Sequence, residues 1–286
     1  MNILKTIGNT PLIKVDNVFA KLETTNPSGS IKDRMTSFMI EKAEERGELK
    51  KGDKIIEVTS GNTGISFAMI STIKGYKFFA IMPDSMSSQR KKIMESFGAQ
   101  VILTDGKRDM VGAIEKYEEV IKENKNAWLP KQFENQDNFL AHKEGLGKEI
   151  IKEKKEIDAF VAGAGTGGTL IGVAKALKEV NSKAKIIAVE PEKSAVLSGR
   201  KPGIHRIQGI GEGFVTPILK NNRDLIDQVI TVESSEAIRA SKELARDYGV
   251  LVGISSGANF LASQRVSRNF NNVVTVFPDR GERYLD

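Results

Sequence analysis

Short apolar runs alternate with longer amphipathic segments along almost the whole chain. Strands are predicted at 54–58, 77–82, 100–103, 159–162, 185–189 and 273–277, the second and last of them stopped by Pro83 and Pro278. Helices are predicted at 64–74, 87–97, 110–124 and 169–180. An apolar strand in such an alternation pairs in parallel with its neighbours and is covered on both faces by the intervening helices. The chain is therefore read as α/β, with two open, largely parallel sheets carrying helices on both faces. In sheets of this kind ligands collect at the carboxyl ends of the strands, where loops meet helix N-termini. Function is to be sought at those junctions.

Composition removes several classes. Cysteine is absent, so disulfides and thiolate metal sites are excluded. The two histidines, His142 and His205, stand in neither H-x-x-x-H nor H-E-x-x-H spacing, which argues against a histidine triad or zinc centre, and no metal is expected. The net charge of +6 is spread among acids, as in Lys152-Glu153-Lys154-Lys155-Glu156, and aromatic residues form no stacking series. That pattern is a solvated surface, not a nucleic-acid stripe. With no run of about 18 apolar residues and no apolar region after Met1, neither a membrane span nor a signal peptide is read, and a cytoplasmic protein is expected.

Four motifs sit at the junctions. In Asn26-Pro27-Ser28-Gly29-Ser30-Ile31-Lys32-Asp33-Arg34, a turn precedes Ser30, a candidate N-cap. Lys32 then falls in the first helical turn, where the positive end of the helix dipole disfavours an ammonium, as a Schiff-base lysine requires. Taken alone, Lys32 reads first as one lysine among many on a helix surface. Thr59-Ser60-Gly61-Asn62-Thr63-Gly64 follows a strand and crowds hydroxyls, an amide and backbone donors into one turn suited to a carboxylate. The plain alternative is a capped turn. Gly163-Ala164-Gly165-Thr166-Gly167-Gly168-Thr169 lets backbone approach a phosphate at a helix start. It also satisfies G-x-G-x-x-G, and Glu190 ends a strand about 20 residues on, so a dinucleotide-binding oxidoreductase using NAD fits this motif as well. The fourth motif, Gly253-Ile254-Ser255-Ser256-Gly257-Ala258 after Val250-Leu251-Val252, is by itself an ordinary serine-capped strand-to-helix turn.

Together these motifs resemble the cysteine synthase (O-acetylserine sulfhydrylase) and cystathionine β-synthase family, the fold type II pyridoxal-phosphate enzymes related to the tryptophan synthase β chain. The resemblance runs from Ile7-Gly8-Asn9-Thr10-Pro11-Leu12 to Asp279-Arg280-Gly281-Glu282-Arg283-Tyr284-Leu285, through Gln132-Phe133-Glu134-Asn135 and Ile207-Gln208-Gly209-Ile210-Gly211. It implies a large cofactor-binding domain of residues 1–35 and 137–286 and a small domain of 36–136 that closes on the substrate. Pyridoxal 5'-phosphate is then the cofactor. Lys32 binds it covalently and accepts the substrate α-proton. Gly165, Thr166, Gly167, Gly168 and Thr169 hold its phosphate, Asn62 its phenolic oxygen, and Ser255 its ring nitrogen. Thr59, Ser60, Gly61 and Thr63, with Gln132 and Gly209, receive the amino-acid substrate.

The implied reaction is β-replacement on a serine-derived amino acid, with cysteine made from O-acetylserine and sulfide through an aminoacrylate. A neutral serine at the ring nitrogen gives a weaker electron sink than an aspartate and suits rapid loss of a β-substituent. The implied partners are the amino acid, sulfide or a thiol, a second copy in a homodimer, and the C-terminal tail of a serine acetyltransferase.

Three departures stand out. The segment between Pro11 and Ala20 is shorter than the family's usual, an expected change in a dimer-facing or surface loop. Gly145-Leu146-Gly147 stands where a Thr-Thr-Gly is common, and Glu212 where a small residue is common. Glu212 is a candidate catalytic residue that holds water or an amine, which would direct the site to β-elimination or β-replacement on cysteine or serine, releasing hydrogen sulfide or forming lanthionine or cystathionine. The alternative is a solvated glutamate between two glycines. A non-catalytic binding protein on the same fold is expected to lack Lys32 or the asparagine loop.

Overall fold

The structure is a computed structural model and describes residues 2–285. In chain order it contains β1 (Leu12–Val15), β2 (Val18–Leu22), α1 (Lys32–Glu45), β3 (Lys54–Val58), α2 (Asn62–Lys74), β4 (Lys77–Pro83), α3 (Ser88–Ser96), β5 (Gln100–Thr104) and α4 (Asp109–Glu123). There follow α5 (Asp137–His142), a π turn (Lys143–Gly147), α6 (Lys148–Glu153), β6 (Ala159–Gly163), α7 (Gly168–Val180) and β7 (Lys185–Pro191). The chain closes with α8 (Pro217–Lys220), β8 (Gln228–Val232), α9 (Ser234–Tyr248), α10 (Ile254–Val266) and β9 (Val273–Phe277). The six strands and four helices predicted by range are each present within two residues of their expected ends.

The chain forms two compact units, Met1–Met35 with Gln132–Asp286, and Thr36–Lys131. The return crossing falls at Lys131, a few residues before the expected 136, where the backbone turns through a left-handed φ of 52°.

In the first unit six strands run in the order β1-β2-β9-β6-β7-β8, all parallel except for the β1–β2 hairpin. Successive residues of a strand point to opposite faces, and the cores divide accordingly. Val274, Val276, Phe160 and Ala162 join Leu170, Val173 and Leu177 of α7 on one side. Val273, Ala159 and Val161 join Ala237 of α9 and Ala258, Ala262 and Val266 of α10 on the other. Both faces of the central strands are dry, which is why β9 reads Val-Val-Thr-Val-Phe without alternation.

The shortened segment after Pro11 forms the tight β1–β2 hairpin, closed at Val15↔Val18 with Asp16 at a φ of 52°. The run Val250-Leu251-Val252 is not a strand. Val252 makes only an isolated bridge to Arg280, so α10 starts from a loop and not from a strand end.

In the second unit β3, β4 and β5 form a parallel sheet. Ile56 and Ile81 face Ala113 and Val120 of α4. On the opposite face Phe67 of α2 stacks on Phe78 with ring centroids 5.5 Å apart and meets Trp128 edge-on.

Candidate active site

Lys32 is the first residue of α1, and the turn before it is held from several sides. Gly29 takes a φ of 87°, a left-handed conformation that disfavours a side chain. The Asp33 carboxylate accepts from the Ser28 amide at 2.7 Å and from the Ser28 hydroxyl. The Ser30 hydroxyl accepts from the Lys32 amide at 3.3 Å, so Ser30 caps the helix as its residue type predicts. The Ile31 amide donates to the Pro278 carbonyl at 2.8 Å, and Ser30 pairs with Asp279, which fastens the turn to the end of β9.

Two residues past Lys32, Arg34 enters a buried ion network. Its guanidinium donates to Glu23 at 2.6 and 2.9 Å and to Glu149 at 2.7 Å through two nitrogens. Lys21, fully buried, contacts Glu149 at 3.0 Å and Glu153 at 2.9 Å. Burial opposes the Arg34 charge, but Glu23 and Glu149 outweigh it and hold its pKa above the ordinary value. Burial likewise opposes the Glu149 carboxylate, yet Arg34, the Asn9 amide and Lys21 bring its pKa down to about 2.

The Lys32 side chain keeps some surface open, but its amine lies deep. Burial lowers its pKa, and the charges of Glu212 and Asp279 partly restore it.

The loop from β6 to α7 is shaped by glycines that lie against the turn at 209–211. A Cβ on Gly165 would stand 2.5 Å from the Gly209 carbonyl oxygen, and one on Gly163 2.5 Å from Ile210. The Gly211 amide donates to the Ala164 carbonyl at 3.0 Å. Gly167, at a φ of 91°, is the N-cap of α7 and has no side chain, so among the first amides only that of Gly168 meets a side-chain acceptor. The first amides of a helix without a side-chain cap form an anion site. The Thr166 hydroxyl accepts from the Gly168 amide at 3.3 Å and from Asn138 Nδ2 at 3.1 Å. Thr169 Oγ1 lies 3.4 Å from Nε2 of His142. His142 is buried, and burial, then Arg34 and Lys32, keep its pKa well below the usual imidazole value, so the ring is neutral.

Glu212 reaches this same loop. Its Oε1 is 3.6 Å from the point where a Gly165 Cβ would sit. By accessible surface the residue as a whole is exposed. Burial raises the pKa of its carboxylate, against the pull of Lys32 and His205. The position of Oε1 over Gly165 puts the carboxylate at the glycine loop.

Ser255 lies in the first turn of α10 and is buried, and its hydroxyl makes no hydrogen bond among the described residues. The loop before it is tied to the Lys32 turn through Asp279, whose carbonyl accepts from the Gly253 amide at 3.0 Å and whose carboxylate accepts from the Tyr284 hydroxyl at 2.5 Å. Lys32, residues 165–169, Gly209, Glu212 and Ser255 thus all belong to the first unit, as does Gln132, whose carbonyl accepts from Asn138.

The motif at 59–64 belongs to the second unit. Thr59 and Thr63 are buried, Gly61 is the N-cap of α2 and has no side chain, and Thr59 Oγ1 caps the first turn by accepting from the Gly64 amide at 3.1 Å. Arg90, itself buried, extends Nη1 to 4.0 Å from where a Gly61 Cβ would stand.

Sequence reasoning passed over Asn138, His142, Arg90 and Asp279, whose roles depend on contacts distant in sequence. Only Asp279 lay within a quoted motif. Glu190, the acid that made a dinucleotide site plausible, is buried and spent on its own loop. It accepts from the Leu197 amide at 2.7 Å and from the Ser198 amide and hydroxyl at 3.1 and 3.0 Å. No carboxylate oxygen is left pointing outward to a ribose.

An amine with lowered pKa, a glycine cup at an uncapped helix start and a buried neutral hydroxyl fit a phosphorylated carbonyl cofactor with a ring nitrogen. The class is an α/β enzyme that holds such a cofactor on a lysine. The chain belongs to the pyridoxal-phosphate dependent enzyme family, whose model matches residues 3–279. A cysteine synthase of Staphylococcus aureus is 45% identical to it over 297 residues, covering 99% of this chain and 95% of that protein. The crystal structure of O-acetyl serine sulfhydrylase isoform 3 from Entamoeba histolytica superposes with a TM-score of 0.95 at 41% identity, covering 99% of this chain and 89% of that one. A hydrogen sulfide-producing enzyme from Fusobacterium nucleatum gives 0.95 at 41% identity, covering 99% and 97%.

Proposed function

We propose that this pyridoxal-phosphate-dependent enzyme performs β-replacement on a serine-derived amino acid, forming L-cysteine from O-acetylserine and sulfide. The carrying observation is the gathering, in one unit, of Lys32, the glycine cup at 165–169 and the neutral Ser255. The bound cofactor supplies an electron sink for the substrate α-carbon.

The chain's own residues do the rest. Lys32, with its pKa lowered by burial, holds the cofactor carbonyl and later takes the α-proton. Residues 165–169 carry the phosphate on backbone amides and the Thr166 and Thr169 hydroxyls. Ser255 donates to the ring nitrogen without adding a charge, which favours prompt loss of the β-substituent. In the same proposal Thr59, Ser60, Gly61 and Thr63, with Gln132, take the substrate carboxylate, Asn62 takes the cofactor's phenolic oxygen, and Gly209 borders the substrate.

A second reading rests on Glu212. A carboxylate with a raised pKa at Gly165 is placed to hold a water, or the amino group of a cysteine or homocysteine whose thiol attacks, so that cysteine as substrate loses hydrogen sulfide and gives serine with water, lanthionine with a second cysteine or cystathionine with homocysteine. On the resemblance alone, the same proposal includes a cytoplasmic homodimer able to take a serine acetyltransferase C-terminal tail. No described helix is long and apolar enough to cross a membrane.

The test is a panel of O-acetylserine, O-phosphoserine, serine and cysteine, with cysteine formation and sulfide release both measured. Fastest turnover of O-acetylserine with sulfide supports the first reading. Faster sulfide release from cysteine alone replaces it with the second.

A further inference from the structure

Beyond the glycine cup, the first unit carries a second concavity, a cleft of about 580 Å³ between the loop at 204–206 and the start of α9. Four cations line it: Lys193, Arg206, Arg239 and Lys242. Lys193, Arg206 and Lys242 form no ion pair among the described residues, and Arg239 meets Glu243 at only 3.7 Å with both side chains exposed. Glu233 is the one carboxylate on the lining, and its oxygen is already used by the Ser235 amide at 2.7 Å and the Glu236 amide at 3.2 Å. The helix therefore caps itself, and the positive field of the cleft comes from side chains. Cations placed along one open concave wall raise the local concentration of anions.

The cleft shares a wall with the active-site turn. His205 lines it, and His205 Nε2 is 2.9 Å from the Gly211 carbonyl oxygen. Gly211 is next to Glu212, and a Cβ on Gly211 would stand 3.0 Å from that same ring nitrogen. The imidazole is thus wedged between the cationic cleft and the turn that presents Glu212.

We infer that the cleft lined by Lys193, Arg206, Arg239 and Lys242 binds a small polyanion of linked phosphate groups, and that its occupancy is transmitted through His205 to the turn at 209–212. Several separated cations favour a ligand with several linked charges over a single phosphate. Binding is independent of which amino acid the enzyme converts. Transmission is read on the preferred reaction found in the substrate panel.

The experiment is calorimetric titration of the holoenzyme in low-salt buffer with tripolyphosphate and ATP as probes and orthophosphate as the single-phosphate control. Tripolyphosphate is expected to bind one per chain, more tightly than orthophosphate, with the cofactor absorbance unchanged. Arg206→Ser combined with Lys242→Ser is expected to weaken it by about tenfold, the worth of two partly solvated charges. Equal affinity in parent and double variant overturns the site, as does binding that strips the cofactor, which places the polyanion in the glycine cup. A polyanion that alters kcat/KM in the parent but not in His205→Asn, with affinity retained, supports transmission. Unaltered kcat/KM in the saturated parent overturns it. If a second copy covers the cleft instead, the double variant dissociates on a sizing column and tripolyphosphate does not bind.

Discussion

Lys32 and Glu212 each feel the charge of the other, and the Glu212 carboxylate borders the glycine loop with Oε1 3.6 Å from where a Gly165 Cβ would stand; the lysine pKa is lowered and the glutamate pKa raised. Burial drives both shifts, and the attraction between the two charges opposes both. Opposite shifts on two electrostatically linked groups suit acid–base work.

The first prediction concerns Glu212. A carboxylate whose folded pKa is raised ionises only above the ordinary glutamate range, so a reaction needing its charge fails as pH falls through that raised value. Sulfide release from cysteine alone is expected to show such an acid limb. In Glu212→Gln the limb is expected to vanish and the rate to drop by tenfold or more, within the ~10²–10⁴ range for a lost acid–base group or just below it. Cysteine synthesis from O-acetylserine is expected to change little. Equal small effects on both reactions return Glu212 to a solvent role.

Gly165→Ala tests the cup. The added Cβ would stand 2.5 Å from the Gly209 carbonyl oxygen, a backbone atom that yields only if the whole turn moves. Retention of pyridoxal phosphate after dialysis is expected to fall, while circular dichroism and the melting temperature stay near those of the parent. Full retention shows that the loop relaxes freely and is not the phosphate cradle.

The ion network behind Lys32 gives a stability prediction. Arg34→Ala leaves the buried Glu23 carboxylate without its main partner and is expected to cost about 3–5 kcal/mol in chemical denaturation, the usual penalty for breaking a buried pair. Glu149 adds a pH signature. Its folded pKa of about 2 lies below the unfolded value, so its contribution is complete above the ordinary carboxylate pKa and is lost as pH falls from there toward 2. The melting temperature of the parent is expected to fall more steeply between pH 5 and 3 than that of Glu149→Gln. Parallel curves contradict the assignment.

Much of this was legible in the sequence because the signals are local. The Ser30 cap, Lys32 at a helix start and the glycine loop between β6 and α7 each follow from a few consecutive residues, and the strand pattern follows from continuous apolar runs. The hairpin at β1 and β2 was not read, because its strands are four and five residues long and its turn lacks the Asn-Gly or Asp-Gly signal. Strand β8 and helices α9 and α10 also went unread. The apolar Val250-Leu251-Val252 pointed to a strand, but Val252 finds only Arg280 to pair with. Asn138 and His142 support the cup from a helix more than 20 residues upstream, at separations no local motif encodes. The G-x-G-x-x-G match with Glu190 misled for a similar reason, since the structure spends that carboxylate on Leu197 and Ser198.

The central claim is that Lys32 holds the cofactor. Borohydride reduction of the holoenzyme followed by peptide mass mapping tests it most directly. A bleached visible band and one pyridoxyl group per chain are expected, on the peptide containing Lys32, with Lys32→Ala giving folded protein that shows neither the band nor turnover. A pyridoxyl group found on any other lysine would contradict it.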